Sequence, residues 1–308
     1  MEPISVHPIV SVVINTRNRC RILHRAIESV LNQTYRNIEL VIVDGQSTDE
    51  TSEVVKRYLE VDSRINYVYI GENKSAVYCI NMGMSLSKGD FIAILDDDDE
   101  YLPSKIEKQV QLFLKSDPKV GVIYCWDKVW DDRTNSLIRE RKNKNRGNIY
   151  DKLLFGPGTG ASSELMFKRK AIEKVGGWDD SIRFGADYQL TLNIAEFYEY
   201  DYVPEILAIT HWNHMYMHLT TQSGGNVNQD FIIENYEKVL SDHNKGFEKI
   251  PEARYWHYKG IISAGFNSKN YNLVFKYTRL GLFQKSKIKY KINYLIHITK
   301  RFIKTFLK

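Results

Sequence analysis

Cysteine is scarce: Cys20, Cys79 and Cys125 are the only three, far apart and without paired metal-ligand spacing. That excludes a disulfide framework and a thiolate zinc site, and reduced thiols in the cytoplasm are expected. No apolar run reaches the ~18 residues that a membrane span needs, and residues 1–8 carry no basic-then-apolar leader. Secretion and integral membrane insertion are therefore not expected. No GxGxxG follows the first strand-like run, and no Walker phosphate loop occurs, which argues against dinucleotide oxidoreductases and ATPases. Nor does one charge dominate. Against 38 acidic residues stand 43 basic ones, giving +5 over 308 residues, too mild to imply a nucleic-acid partner.

What is present is ordinary in amount and uneven in placement. Charged residues at 26% and hydrophobic ones at 43% suit a globular protein, and the length allows one large domain with a smaller appendage. The division expected is 1–225 and 226–308. Acid gathers at residues 96–100, base toward the carboxyl end. Short β-branched runs at 10–14, 38–43, 65–70 and 91–95 alternate with helical spacing at 21–33, from about 50 to 61, and at 76–86. Strands alternating with helices predict right-handed βαβ units and a mostly parallel sheet. Residues 120–125, 163–167 and 202–209 read as further strands, and 131–148 as a polar, solvated loop. From about residue 228 the pattern is purely helical.

The stretch Asp96-Asp97-Asp98-Asp99-Glu100 follows the buried run at 91–95, at the carboxyl end of a strand, where open α/β sheets place ligands. Carboxylates so crowded repel and take up protons unless a cation offsets them. Hard ions such as Mg²⁺ or Mn²⁺ prefer oxygen ligands. A calcium EF-hand fits worse, because Tyr101 stands where glycine is needed and Pro103 interrupts the loop.

Several blocks in register resemble family 2 glycosyltransferases of the GT-A fold: residues 10–19, 29–35 and 39–49, then Asn81, Gly83, Gly89-Asp90 and 95–99. The resemblance covers about the first two-thirds of the chain. It implies an α/β, Rossmann-like sheet flanked by helices, with a carboxyl-terminal helical extension. It implies an inverting hexosyltransferase that uses a nucleotide-diphosphate-sugar, usually a UDP-sugar, with Mn²⁺ or Mg²⁺, in cell-surface polysaccharide or glycoconjugate synthesis. Carried over residue by residue, Thr16 would touch the nucleoside and Asp44 the uracil. Asp96 and Asp98 match the DxD signature, Asp96 near the ribose and Asp98 as the direct metal ligand. Asp97 is counted with the donor-binding acids, and the role of Asp99 is not separated from that of Asp98. Gly176-Gly177-Trp178-Asp179, followed by Gly185-Ala186-Asp187, resembles the block that supplies the family's general base, which maps onto Asp187. Ala186 departs from the acidic pair usual there. His214 is the expected further metal contact, with His211 and His218 as rivals in register. Two other readings stay open: a sugar nucleotidyltransferase, which would need a glycine-rich turn at 15–19, and a catalytically silent nucleotide-sugar-binding scaffold.

In the last helical run, Ile288, Ile292, Leu295, Ile296, Phe302, Ile303, Phe306 and Leu307 share one face among lysines. A basic amphipathic helix over 287–308 suits peripheral contact with an anionic membrane, at the inner face of the cell membrane if the acceptor is lipid-linked. The other reading docks that face on the chain's own helices.

Overall fold

A computed structural model describes residues 7–216 and 228–306. In chain order the elements are β1 (Val10–Thr16), α1 (Leu23–Leu31), β2 (Ile38–Asp44), α2 (Thr51–Leu59), β3 (Ile65–Tyr69), α3 (Ala76–Leu86), β4 (Phe91–Ile94), β5 (Glu100–Tyr101), α4 (Lys105–Lys115), β6 (Val120–Asp131), β7 (Ser136–Arg141) and α5 (Tyr150–Leu153). They continue as β8 (Met166–Lys168), α6 (Arg169–Val175), α7 (Ala186–Ala195), β9 (Glu199–Trp212), α8 (Gln229–Asp242), α9 (Asn244–Lys249), α10 (Arg254–Asn267), α11 (Tyr271–Phe283) and α12 (Ile288–Phe306).

The chain forms two compact units. The first comprises Met1–Ile149, Gly158–Asp180 and Asn193–Tyr216; the second comprises Tyr150–Pro157, Ser181–Leu192 and Met217–Lys308. The first holds a sheet in the order β3-β2-β1-β4-β8-β6-β9-β5, with β7 paired to β6. β1, β2, β3 and β4 run parallel to one another, whereas β8 is antiparallel to both β4 and β6. Every residue of β1 is buried, as expected of a central parallel strand covered on both faces. Gly83 lets α3 lie close: a Cβ there would overlap the side chain of Val13 on β1.

The polar stretch at 131–148 is not a plain loop. Ser136–Arg141 pairs antiparallel with β6 as an exposed edge strand. Its sequence, Ser-Leu-Ile-Arg-Glu-Arg, has no apolar alternation, and its two apolar residues, Leu137 and Ile138, stay exposed. β9 runs farther than expected, to Trp212, so His211 lies on a strand rather than in the following turn.

The second unit has its own core on α8, α10, α11 and α12, built around Tyr255, Tyr258, Ile261, Ile262, Tyr277 and Tyr294. Among the described residues no helix is long and apolar enough to cross a membrane.

Candidate active site

Parallel pairing brings three strand ends to one edge. Thr16 lies opposite Asp44 in register, and Val13 lies opposite Ile94, so the turn after β4 emerges beside both. Asp44 is fully buried. One of its oxygens accepts from the Ser47 N–H at 2.7 Å, the other from the Tyr67 hydroxyl at 2.9 Å. Burial, together with this bond to Asp44, pushes the Tyr67 hydroxyl far above its ordinary pKa, so it stays a donor.

Of the four consecutive aspartates, three converge. Asp96, Asp98 and Asp99 each present an oxygen within 4.8 Å of the others. Asp99 is held on both oxygens: Ser163 Oγ donates to it at 2.6 Å and the His211 N–H at 3.1 Å. Ser163 also accepts from the Asp96 N–H at 3.2 Å, so one serine from the turn before β8 fixes both ends of the cluster. Asp97 turns the other way, to Arg19 at 3.4 Å. Asp97 sits in the turn that follows β4, and its side chain leaves that turn toward Arg19 instead of toward the other three.

His214 stands behind Asp98, its Nε2 3.0 Å from Oδ2. The Tyr216 N–H points at His214 Nδ1 at 3.2 Å, which leaves Nδ1 as acceptor and puts the ring proton on Nε2, toward Asp98. His214, the expected further metal contact, thus lies against Asp98 through Nε2. His218 lies outside the described residues. Arg25 Nη2 donates to the Asp98 carbonyl at 2.8 Å, and Nη1 of the same guanidinium reaches Asp132 at 3.0 Å. The carboxylates of Asp132 and Glu100 flank the His211 ring at 2.5 and 3.0 Å. Burial alone would lower the His211 pKa, but these two neighbours raise it above its ordinary value. Arg25 and Ser163 are supporting residues that motif reading does not name; Arg19 lies in a matched block and His211 is a rival to His214, neither with this role. All four come from separate segments, and only the pairing of β9 with β5 and the placement of α1 gather them.

Burial first and the charge of Asp98 second push Asp97 up to about 7, against the pull of Arg19. The same two causes push Asp99 up to about 7, against Ser163 and His211. Oxygen-only donors, closely spaced and short of compensating charge, fit a divalent cation of the Mg²⁺ or Mn²⁺ kind. A stability consequence follows. Both folded pKa values stand above the unfolded value of about 3.9, so the native state binds more protons than the unfolded one between about pH 4 and 7. Stability of the metal-free protein should fall as pH rises through that window. Added Mn²⁺ should restore more of it at pH 8 than at pH 5.5, where the ion must displace protons. Thermal denaturation at both pH values, with chelator or with Mn²⁺, measures this; a larger Mn²⁺ shift at pH 5.5 would refute it.

Asn81 and Asp187 stand on helices. Asn81 clamps the turn after α6, donating to the Trp178 carbonyl at 2.8 Å and to Asp180 at 2.7 Å, which is a packing role. Asp187 occupies the first turn of α7 and is half-buried. Gly185 precedes it at φ +70°, a conformation glycine adopts without strain. Next to it the Tyr188 hydroxyl donates to the Leu153 carbonyl at 2.7 Å, within the second unit.

Known proteins resemble this chain at both levels. A Rickettsia prowazekii protein named as an uncharacterized glycosyltransferase, RP339, is 32% identical over 189 residues, which is 59% of this chain and 57% of that protein. The chain thus spans little more than half the length of this relative. In structure, S. aureus TarS 1–349 in complex with UDP-GlcNAc matches with a TM-score of 0.58 at 13% identity, over 83% of this chain and 81% of that one. The mannosyltransferase PcManGT from Pyrobaculum calidifontis, in complex with GDP-Man and Mn²⁺, matches with a TM-score of 0.58 at 17% identity, over 96% and 87%. At such identities the likeness shows the fold, which is GT-A, as expected. Residues 11–176, more than half of the chain, match Glycosyl transferase family 2, and the chain belongs to that family.

Proposed function

We propose that this chain transfers a hexosyl group from a nucleotide-diphosphate-sugar, a UDP-sugar first, to a hydroxyl of a glycan or lipid-linked acceptor, with inversion at the anomeric carbon. The observation that carries the reading is the convergence of Asp96, Asp98 and Asp99 at the strand edge shared with Thr16 and Asp44. TarS is described with UDP-GlcNAc and PcManGT with GDP-Man and Mn²⁺, which supports a nucleotide-sugar donor here.

In this reading Thr16 and Asp44 hold the nucleoside, and Asp98, with Asp96 and Asp99, holds Mn²⁺ or Mg²⁺. When bound, such an ion offsets the charge on the departing diphosphate as a Lewis acid. His214 keeps Asp98 oriented, while Asp97 with Arg19 anchors the turn. Asp187 takes the proton from the acceptor hydroxyl as that oxygen attacks the anomeric carbon from the face opposite the diphosphate; a sugar hydroxyl is a poor nucleophile without such a base. Asp187→Asn should therefore lower turnover by about 10²- to 10⁴-fold with the donor's affinity retained. Calorimetric donor binding beside initial rates checks the split; a matching loss of binding would remove Asp187 from the base role.

A thermal-shift screen of UDP-, GDP- and dTDP-sugars, each with and without Mn²⁺, tests the reading as a whole. One nucleotide class should stabilise the protein, and more so with the metal. No shift with any of them would leave a family member that does not use such donors. A donor that stabilises but is neither hydrolysed nor transferred would favour the silent scaffold.

A further inference from the structure

The carboxyl-terminal helices display a row of exposed apolar side chains. α12 is docked by one stripe and exposes another. Its inward stripe is aromatic and polar: Tyr294 is fully buried, with its hydroxyl donating to the Tyr277 carbonyl at 2.6 Å, and Tyr290 stacks on Tyr255. His297 Nε2 and Arg301 Nε both meet Ser263 Oγ, at 3.0 and 3.1 Å. The aliphatic stripe points the other way. Ile288 is 74% exposed, and Ile292, Leu295, Ile296, Phe302 and Ile303 are between 44% and 51% exposed. At 3.6 residues per turn these six cover about 120° of arc along a helix about 28 Å long. On α11, Phe275 and Phe283 are 71% and 80% exposed and line an open groove of 920 Å³ with Arg279. The sequence left two places for the aliphatic face, and the chain's own helices are not the one it occupies.

Charge identifies the occupant. After Glu252 the sequence has 13 lysines and arginines and no acidic residue, so the first 252 residues hold the other 30 basic side chains and all 38 acidic ones. Lys289 and Lys300 border the aliphatic stripe on one side and Lys291 on the other, as a 3.6-residue turn places them. α12 itself carries Lys289, Lys291, Lys300, Arg301 and Lys304 and no acid, so a second copy of this face would set like charges against each other. A soluble polyanion would meet the lysines and leave the isoleucines wet. Only a partner with an anionic skin over an apolar interior satisfies both, which is the arrangement of an acidic bilayer.

We propose that the exposed face of α12 seats this protein in the plane of an anionic membrane surface. This does not rest on the transferase reading: a chain without activity would still bind, and an active one could fail to. The test is co-sedimentation of the full chain with vesicles of phosphatidylcholine alone or with one-quarter phosphatidylglycerol, in 100 mM salt. The wild type should partition to the anionic vesicles at least tenfold better than to the neutral ones. Ile292→Glu/Ile296→Glu/Ile303→Glu, at exposed positions, should abolish partitioning while leaving the melting temperature and donor hydrolysis unchanged. Lys289→Gln/Lys300→Gln/Lys304→Gln should weaken it about 100-fold, since each basic residue near such a surface contributes about fivefold. Wild-type chain left in the supernatant would overturn the proposal. So would a triple-glutamate variant that pellets like the wild type, or light scattering showing a dimer that this variant converts to monomer.

Discussion

Asp98→Asn is expected to lower donor turnover by about 10³-fold while raising the melting temperature of the metal-free protein. The two effects come from one charge. Asp98 is the like-charge neighbour that helps hold both Asp97 and Asp99 up at about 7, so removing its charge lets both ionise at less cost and relaxes the strand end. Asparagine keeps the size and an oxygen that can still accept from His214 Nε2, so the turn should not rearrange. What it loses is one of the three anionic groups that converge there. A residue that destabilises the resting protein and supports turnover is the pattern expected of a functional position. Two measurements decide it: melting in chelator across Mn²⁺ concentrations, and initial rates with the donor found by the thermal-shift screen. A variant still stabilised by Mn²⁺ as the wild type is would move the metal away from Asp98. A fall in metal-free stability would show that Asp98 serves the fold instead.

The parallel half of the sheet was legible because strands buried on both faces have nowhere to put a polar residue. Val10–Thr16 and Ile38–Asp44 therefore announce themselves as β-branched runs, and the functional edge follows from where those runs end. In the other half, the runs at 120–125, 163–167 and 202–209 were legible as β6, β8 and β9 with other bounds, but β7 was not: its Leu137 and Ile138 stay exposed, and it exists because β6 offers it a partner. The acid cluster was legible as composition but not as direction. Four adjacent aspartates look equivalent in sequence, yet Asp97 is taken by Arg19, 78 positions away, and Asp99 by Ser163, 64 positions away. Likewise α12 carries two apolar stripes, and spacing alone favours the aliphatic one. The tyrosine stripe docks instead, because Tyr294 can bury its ring and still place its hydroxyl on a carbonyl.

Arg141→Ala should cost about 3–5 kcal/mol of stability, the largest effect expected away from the acid cluster. The side chain enters from the edge strand β7 and meets two carboxyls that are 1% exposed, Asp127 and Glu164. Its Nε lies 2.8 Å from Asp127 Oδ1, and its Nη2 lies 2.8 Å from Glu164 Oε1 and 2.7 Å from Thr210 Oγ1. Burial drives Glu164 well above its ordinary pKa even with the guanidinium beside it. Without Arg141, both acids would be buried with no cation. The double variant Arg141→Ala/Glu164→Gln, in which the amide oxygen can still accept from the Ala161 N–H, should recover about 1–3 kcal/mol of the loss. Chemical denaturation of the two singles and the double measures the coupling, and strictly additive losses would show that the two groups do not act as a unit. The consequence reaches the acid cluster through one residue. Glu164 is covalently next to Ser163, whose hydroxyl bonds Asp99 and accepts from the Asp96 N–H. Loosening the 161–164 turn should therefore weaken Mn²⁺ binding in Arg141→Ala even where the fold survives, and the double variant should regain affinity together with stability.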